Sequence, residues 1–336
     1  MTSTRRPLGV ALLGCGWAAA IHARALRGLR ATCDTTTSFA SRDVRRAESL
    51  CARFGGRRAY GSYEAALADP AIDVAVVCTP TATHRALALQ ALDAGKHVIV
   101  EKPAFMRSED ADDVRAAASR ADRRVLVAEN YVYKPLAAHL RQLIGDGALG
   151  EVRFVTLNAT KRQPALGWRA DPALSGGGAL FEAGVHWVSF AANIGLEVES
   201  LQAWRVGAPH GPDRSSLLVF RYAGGAVGTL AHSWELRAPL GGLRLSKVQG
   251  TRGAVTFESN GLVAVTTGRQ PSIRIPALGD PLGYRGMWRD FIGALQSGAP
   301  TLFTLDLAQR DLAMLERAEA TMGEREATEP IPTSVA

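Results

Sequence analysis

Glu101-Lys102-Pro103 closes the apolar run His97-Val98-Ile99-Val100 and so sets an amine at the carboxyl end of a strand. That end is where ligands bind in an open α/β sheet. Pro103 lacks an amide hydrogen and fixes the turn that holds Lys102. A second constellation follows Gly176-Gly177-Gly178, where a helix carries Glu182 and His186 four residues apart, on one face. Carboxylate and imidazole can converge there on one ligand, or simply pair with each other. Histidine moves protons near neutral pH at its ordinary pKa, and Glu182 is placed to orient it. Lys102 does the same when desolvation or a nearby cation lowers its pKa, and otherwise hydrogen-bonds a substrate oxygen. His186 is the expected acid/base and Lys102 its polariser or relay partner; the opposite division stays open.

A third group of residues is built for phosphate. The apolar run Pro7 to Leu13 turns through Gly14-Cys15-Gly16-Trp17-Ala18-Ala19 into Ala20 to Leu29, which has helical apolar spacing. Gly14 permits the tight turn, Gly16 removes a side chain where a pyrophosphate must approach, and Ala19 lets helix and strand pack closely. Free amides at Cys15, Trp17 and Ala18 and the positive end of the helix then face a dinucleotide. The next strand, Thr35 to Ala40, ends at Ser41-Arg42, where an acidic residue would bind the ribose 2′-hydroxyl of NAD. A hydroxyl and a planar guanidinium suit a 2′-phosphate, which favours NADP(H) over NAD(H). The other reading makes Arg42 a surface arginine and gives the ribose contact to Asp43.

These residues need a scaffold, and the remaining pattern supplies one. Helices are expected at Arg45 to Phe54, Tyr63 to Leu67, His84 to Ala94 and Asp110 to Ala121, alternating with strands at Asp73 to Cys78, His97 to Val100 and Val125 to Ala128. Such alternation requires parallel pairing and right-handed crossovers. From Glu151 strands dominate: Glu151 to Thr160, Leu217 to Tyr222, Ala226 to Trp234, Leu243 to Gly250, Ala254 to Glu258 and Leu262 to Thr267, with turns at Gly224-Gly225 and Gly241-Gly242. Helices at Ala179 to Ile194, Tyr284 to Leu295 and Leu305 to Met322 are too few to cover both faces of such a sheet. The expected fold is α/β: a doubly wound Rossmann sheet over residues 1–128, then an α+β domain over 129–330 on a large, mostly antiparallel open sheet. One open face suggests a homodimer or homotetramer. The tail Thr328 to Ala336 is expected to fray.

Composition narrows the function classes. The chain has 336 residues, 47% hydrophobic and 21% charged, as in a soluble globular protein of two domains. No apolar run reaches the length of a membrane span and the polar start has no secretory character, so a cytoplasmic location is expected. The net charge of +7 comes from scattered arginines with no basic tract or aromatic platform, which argues against nucleic acid and fits either small anionic ligands or a plain Arg-rich surface that needs none. Cys15, Cys33, Cys51 and Cys78 form no Cys-x-x-Cys pair, and no three of His22, His84, His97, His139 and His232 have metal-site spacing.

Together, Gly14-Cys15-Gly16 with His22, Thr79-Pro80-Thr81-x-x-His84, Ala94-Gly95-Lys96-His97-Val98 leading to Glu101-Lys102-Pro103, and Gly147-Ala148-Leu149-Gly150-Glu151-Val152 resemble the Gfo/Idh/MocA oxidoreductase family. That family includes glucose–fructose oxidoreductase and inositol dehydrogenase. The resemblance implies an NAD(P)-dependent enzyme that moves a hydride to or from a secondary alcohol carbon of a sugar or cyclitol, nucleotide-linked or phosphorylated forms included. It places Thr79, Pro80, His84, Glu101 and Lys102 beside the cofactor, although His84 also reads as a helix-start or structural histidine. It further implies that Glu129-Asn130-Tyr131-Val132-Tyr133-Lys134-Pro135 crosses between domains and lines the cleft, where Tyr131 and Lys134 either bind substrate or merely pack. Lys161, Arg162, Trp168 and Arg169 lie on a loop able to cap the pocket. The family commonly has Asp where this chain has Glu182, and one extra methylene moves the carboxylate by more than about 1 Å, enough to alter a positioned hydrogen bond. Reduction of a C=N or C=C bond, and a non-catalytic dinucleotide-sensing regulator, are the alternative implications.

Overall fold

The computed structural model describes residues 6–208, 210–238, 242–269, 271–276 and 278–323. The tail Thr328 to Ala336 and Gly241 of the Gly241-Gly242 turn lie outside them. Strands β1 (Leu8–Leu13), β2 (Thr35–Ala40), β3 (Ala59–Tyr60), β4 (Val74–Val77), β5 (His97–Glu101) and β6 (Val125–Ala128) form one parallel sheet in the order β3-β2-β1-β4-β5-β6. Helices α1 (Trp17–Leu29), α2 (Val44–Phe54), α3 (Tyr63–Ala68), α4 (His84–Asp93) and α5 (Asp110–Ala121) make the connections. Val10 to Leu13, Val74 to Val77 and Val98 to Val100 are fully buried, as continuous apolar runs must be when helices cover both faces. The strand order reverses between β1 and β4, and the crevice at their carboxyl ends is the natural ligand site.

Helix α6 (Pro135–Gly145) leads out of this sheet. The sequence reading ended the crossing segment at Pro135, but a proline at the first helical position starts a helix readily because no amide is lost there. The second sheet comprises β7 (Val152–Thr160), β8 (Val198–Arg205), β9 (Ser215–Tyr222), β10 (Val227–Ser233), β11 (Leu245–Gly250), β12 (Gly253–Glu258), β13 (Ala264–Gly268) and β14 (Ser272–Arg274). Its order is β14-β13-β12-β11-β7-β10-β9-β8, antiparallel except for the β7–β10 pair. β8 went unassigned from sequence because Glu199, Ser200 and Gln202 interrupt its apolar residues; only Leu201 and Ala203 enter the core. Helices α7 (Pro172–Ser175), α8 (Val185–Ala192), α9 (Tyr284–Ser297) and α10 (Leu305–Gly323) complete the chain.

The helix expected over Ala179 to Ile194 is not uniform. Leu180–Gly184 is a π-helical turn that runs into α8. Asp213 imposes it: its carbonyl accepts from Ala179 N at 2.9 Å and its Oδ2 from Leu180 N at 2.9 Å. Gly178 makes this approach possible, since a Cβ there would lie 2.0 Å from Asp213 Oδ1.

Candidate active site

The Gly14 turn closes against the neighbouring strand. Gly14 has φ +94°, and a Cβ on it would stand 2.9 Å from the Cys78 carbonyl oxygen at the end of β4. Gly16 is the opposite case, because a Cβ there meets nothing within 4 Å. The first turn of α1 holds no acidic residue and no side-chain cap, so unclaimed amides border open space. That is the arrangement a pyrophosphate needs, and the residues fit a dinucleotide. Thr79 and Pro80 form the facing lip, where Thr83 Oγ1 donates to Thr79 Oγ1 at 2.7 Å, and Trp17 is 69% exposed at the rim. At the far end of β2, Asp43 caps α2 by accepting from Arg45 N at 3.2 Å and lies 3.6 Å from Arg46. Ser41 Oγ accepts from Asp43 N at 3.2 Å, while Arg42 is exposed.

Two residues expected at the cofactor are engaged elsewhere. Glu101 is 6% exposed and anchors a buried chain: Trp288 Nε1 donates to His22 Nδ1 at 3.0 Å, and His22 Nε2 therefore carries the proton it donates to Glu101 Oε1 at 2.9 Å. Burial opposes its charge, yet His22 and Lys102 hold the Glu101 carboxyl down at about 2. Its Oε2 accepts from Lys102 N at 3.0 Å, so Glu101 fixes the backbone that presents Lys102. His84, 1% exposed, has Nδ1 at 2.9 Å from the Pro103 carbonyl and Nε2 at 2.9 Å from that of Thr79. Burial keeps His84 neutral, so it donates to one of these carbonyls and packs against the other, between the loops that follow β4 and β5. Glu101 and His84 thus hold the loops that carry Thr79, Pro80 and Lys102.

Lys102 reaches across to the second sheet's helices. Its Nζ donates to the Glu182 carbonyl at 2.9 Å and lies 3.9 Å from the Glu182 carboxylate, which also accepts from Arg169 Nε at 2.7 Å. Burial works against the Glu182 charge, but Lys102 and Arg169 outweigh it and hold that carboxyl below its usual range. Glu182 therefore does not orient His186, as the four-residue spacing suggested. Glu129 does: its Oε1 lies 2.7 Å from His186 Nδ1. Tyr131 stacks on the imidazole at 4.3 Å, and Lys134 Nζ sits 3.5 Å from the centre of the Tyr131 ring. Glu129 is 1% exposed, and burial pushes its carboxyl up to about 8 while holding the His186 imidazolium well below its ordinary range. The 2.7 Å Oε1–Nδ1 contact lets the two groups share one proton. Burial likewise drives the Lys134 amine down to about 7.

Two family models account for most of the chain. The one described as "Oxidoreductase family, NAD-binding Rossmann fold" matches residues 8–129, and the GFO/IDH/MocA C-terminal domain matches residues 137–256. The chain belongs to the Gfo/Idh/MocA oxidoreductase family. Among relatives, trans-1,2-dihydrobenzene-1,2-diol dehydrogenase of Xenopus tropicalis is 26% identical over 265 residues, 77% of this chain and 79% of that protein. D-glucoside 3-dehydrogenase of Escherichia coli (strain K12) is 31% identical over 199 residues, 57% and 55% respectively. The chain spans about three fifths of several other curated relatives it matches. The solved structure of GenD2 from gentamicin A biosynthesis, in complex with NAD, is 28% identical with a TM-score of 0.81, covering 96% of both chains.

For this family member the structure brings Lys102, Glu182, His186, Tyr131, Lys134 and Arg169 into one cleft. Sequence reading passed over Glu129 as a mere part of the crossing segment. The signal was its place at the end of β6, level with the end of β5, where Glu101 pairs with Ala128. Among the described residues no cluster of His, Cys, Asp and Glu is arranged to hold a metal, and all four cysteines are free. No helix among them is long and apolar enough to cross a membrane.

Proposed function

We propose that this protein interconverts a secondary alcohol and a ketone on a sugar-, cyclitol- or diol-like substrate. The observation that carries this reading is the convergence of Lys102, from the nucleotide-binding sheet, with the His186–Glu129 pair across the cleft. A bound nicotinamide would supply the hydride acceptor or donor. The side chains manage the proton. Lys102 is placed to polarise the reacting oxygen, and His186 Nε2, the nitrogen not engaged by Glu129, takes or returns its proton. Below about pH 8 the protonated Glu129 carboxyl donates to Nδ1 and leaves Nε2–H as the acid; above it Nδ1–H faces the carboxylate and Nε2 is the base. The names of the diol and glucoside dehydrogenases support this substrate class.

The reading includes NADP as the preferred cofactor. Asp43 uses one oxygen to cap α2 and lies 3.6 Å from Arg46 through the other, while Arg42 stands exposed beside it at the end of β2. The GenD2 complex contains NAD, so the preference rests on this chain's own residues. It also includes a homodimer or homotetramer through the outer face of the second sheet, where register aligns the exposed Phe154, Leu217, Leu245, Val265 and Ile273. Nicotinamide absorbance followed across a panel of polyols, diols and ketosugars tests the activity. Lys102→Ala and His186→Ala are expected to abolish turnover of any substrate found, and full turnover in both would show the site to be wrong. Titration of cofactor fluorescence should show tighter NADPH than NADH, with Arg42→Ala removing the difference. A monomer by analytical ultracentrifugation would remove the assembly.

A further inference from the structure

The cleft carries more positive charge than its own carboxylates neutralise. Beneath the π-helical turn, the inner side of the second sheet holds buried polar residues: Ser216 on β9, His232 on β10, and Arg244 just before β11. His232 on β10 pairs with Ala159 on β7 and with Ser216 on β9. Arg244 immediately precedes β11, which pairs β7 on its other side, and its carbonyl accepts from Ser259 N at 2.8 Å. His232 faces the π-helical turn, because a Cβ on Gly184 would lie 3.6 Å from His232 Nδ1.

Polar atoms in this group lack partners. Arg244 is 7% exposed; one Nη donates to Asn260 at 2.8 Å, but its Nε has no acceptor. His232 Nδ1 and Ser216 Oγ are equally buried and unpartnered. Such atoms are costly to leave unpaired, which is a reason to look for a ligand. Around the group stand Lys134, which feels the charge of Arg244 and Lys161, and Lys161, which feels Arg244, Lys102 and Arg169. Against these five cations stand Glu182, Glu258 and Glu129. Glu182 is taken by Lys102 and Arg169, and Glu258 accepts from Asn260 N at 2.9 Å and from Asn260 Nδ2 at 3.1 Å. Glu129 is shared with His186. None of the three carboxylates makes an ion pair with Lys134, Lys161 or Arg244 among the described residues.

We propose that the substrate carries an oxyanion, a carboxylate or phosphate attached to the polyol, held by Lys134, Lys161 and Arg244. This rests on the reading of the cleft as the substrate site. Tyr131 separates the oxyanion subsite from the reacting oxygen, with His186 stacked on its ring and Lys134 over the same ring. Binding the oxyanion supplies the acceptors that Arg244 Nε lacks and stabilises the charged form of the Lys134 amine. A neutral polyol leaves both unmet.

The test is calorimetric titration of NADPH-saturated protein at constant ionic strength with D-gluconate, D-glucose 6-phosphate and D-glucitol. At least one anionic ligand is expected to bind roughly tenfold or more tightly than D-glucitol, through charge-assisted hydrogen bonds. Gluconate against glucose 6-phosphate separates carboxylate from phosphate. Arg244→Gln and Lys134→Met, each checked for native unfolding behaviour, are expected to erase the advantage, and Lys134→Arg to retain part of it. Equal binding of all three ligands, failure of both anions to bind, or an anion preference surviving in both variants overturns the proposal. The titration reads binding and not turnover. A protein that prefers the anion but never reduces or oxidises a polyol would sink the dehydrogenase reading and leave the oxyanion subsite standing.

Discussion

Replacing Glu129 by Gln removes the carboxyl that shares a proton with His186, and the effect on stability follows from proton counting. In the unfolded chain Glu and His titrate near their ordinary values of about 4.3 and 6.5. In the folded protein the pair keeps its extra proton up to about pH 8, while His186 resists becoming a free imidazolium. Between about pH 4.5 and 6.5 each state holds one such proton, on Glu129 when folded and on His186 when unfolded, so this pair contributes no slope. From about pH 6.5 to 8 the unfolded chain has lost it and the folded chain has not. Wild-type stability should therefore fall by about 1.4 kcal/mol per pH unit, roughly 2 kcal/mol over that window, and level off above it. In Glu129→Gln only His186 remains, so stability rises with pH up to about 6.5 and is flat beyond. Urea unfolding of both proteins in buffers from pH 5.5 to 9 measures the difference, in which all other titrations cancel. The variant should gain on the wild type throughout the rise to about pH 8. A difference independent of pH would refute the shared-proton assignment.

Three further outcomes are expected. Gly16→Val meets open space and should leave unfolding free energy within about 0.5 kcal/mol, while its branched side chain bars the pyrophosphate and weakens NADPH fluorescence binding by roughly a hundredfold or more. Gly178→Ala drives a methyl into Asp213 and must break its bonds to Ala179 N and Leu180 N, costing about 2–4 kcal/mol in urea unfolding. Trp288→Phe leaves His22 Nδ1 without its donor inside the core, and the loss should be about 1–3 kcal/mol by the same measurement.

Local pattern made the nucleotide-binding half readable. Buried parallel strands write themselves as apolar runs, α1 opens directly after Gly16, and the helix at Asp110–Ala121 has the expected bounds. These features depend on neighbours in sequence, whose geometry is fixed by the chain itself. Lys102 could be placed at a strand end for the same reason. The half beyond residue 150 was legible only in outline, because β8 is paired and half-buried by β9 and α10 and not by its own composition.

The partners of the chemical groups were not legible at all. Glu182 and His186 stand four apart, and helical spacing alone pairs them. The folded chain instead gives Glu182 to Lys102 and Arg169 and brings Glu129, 57 residues away, to His186. Glu101 reads as a site residue from its neighbour Lys102, yet it is tied to His22, 79 residues earlier. Sequence by itself determined which groups could do chemistry and which strand ends would present them, since residue type and periodicity are local. Only the tertiary structure decided which charge faces which, because pairing energy depends on distance and burial, and both are set by packing between segments far apart in the chain.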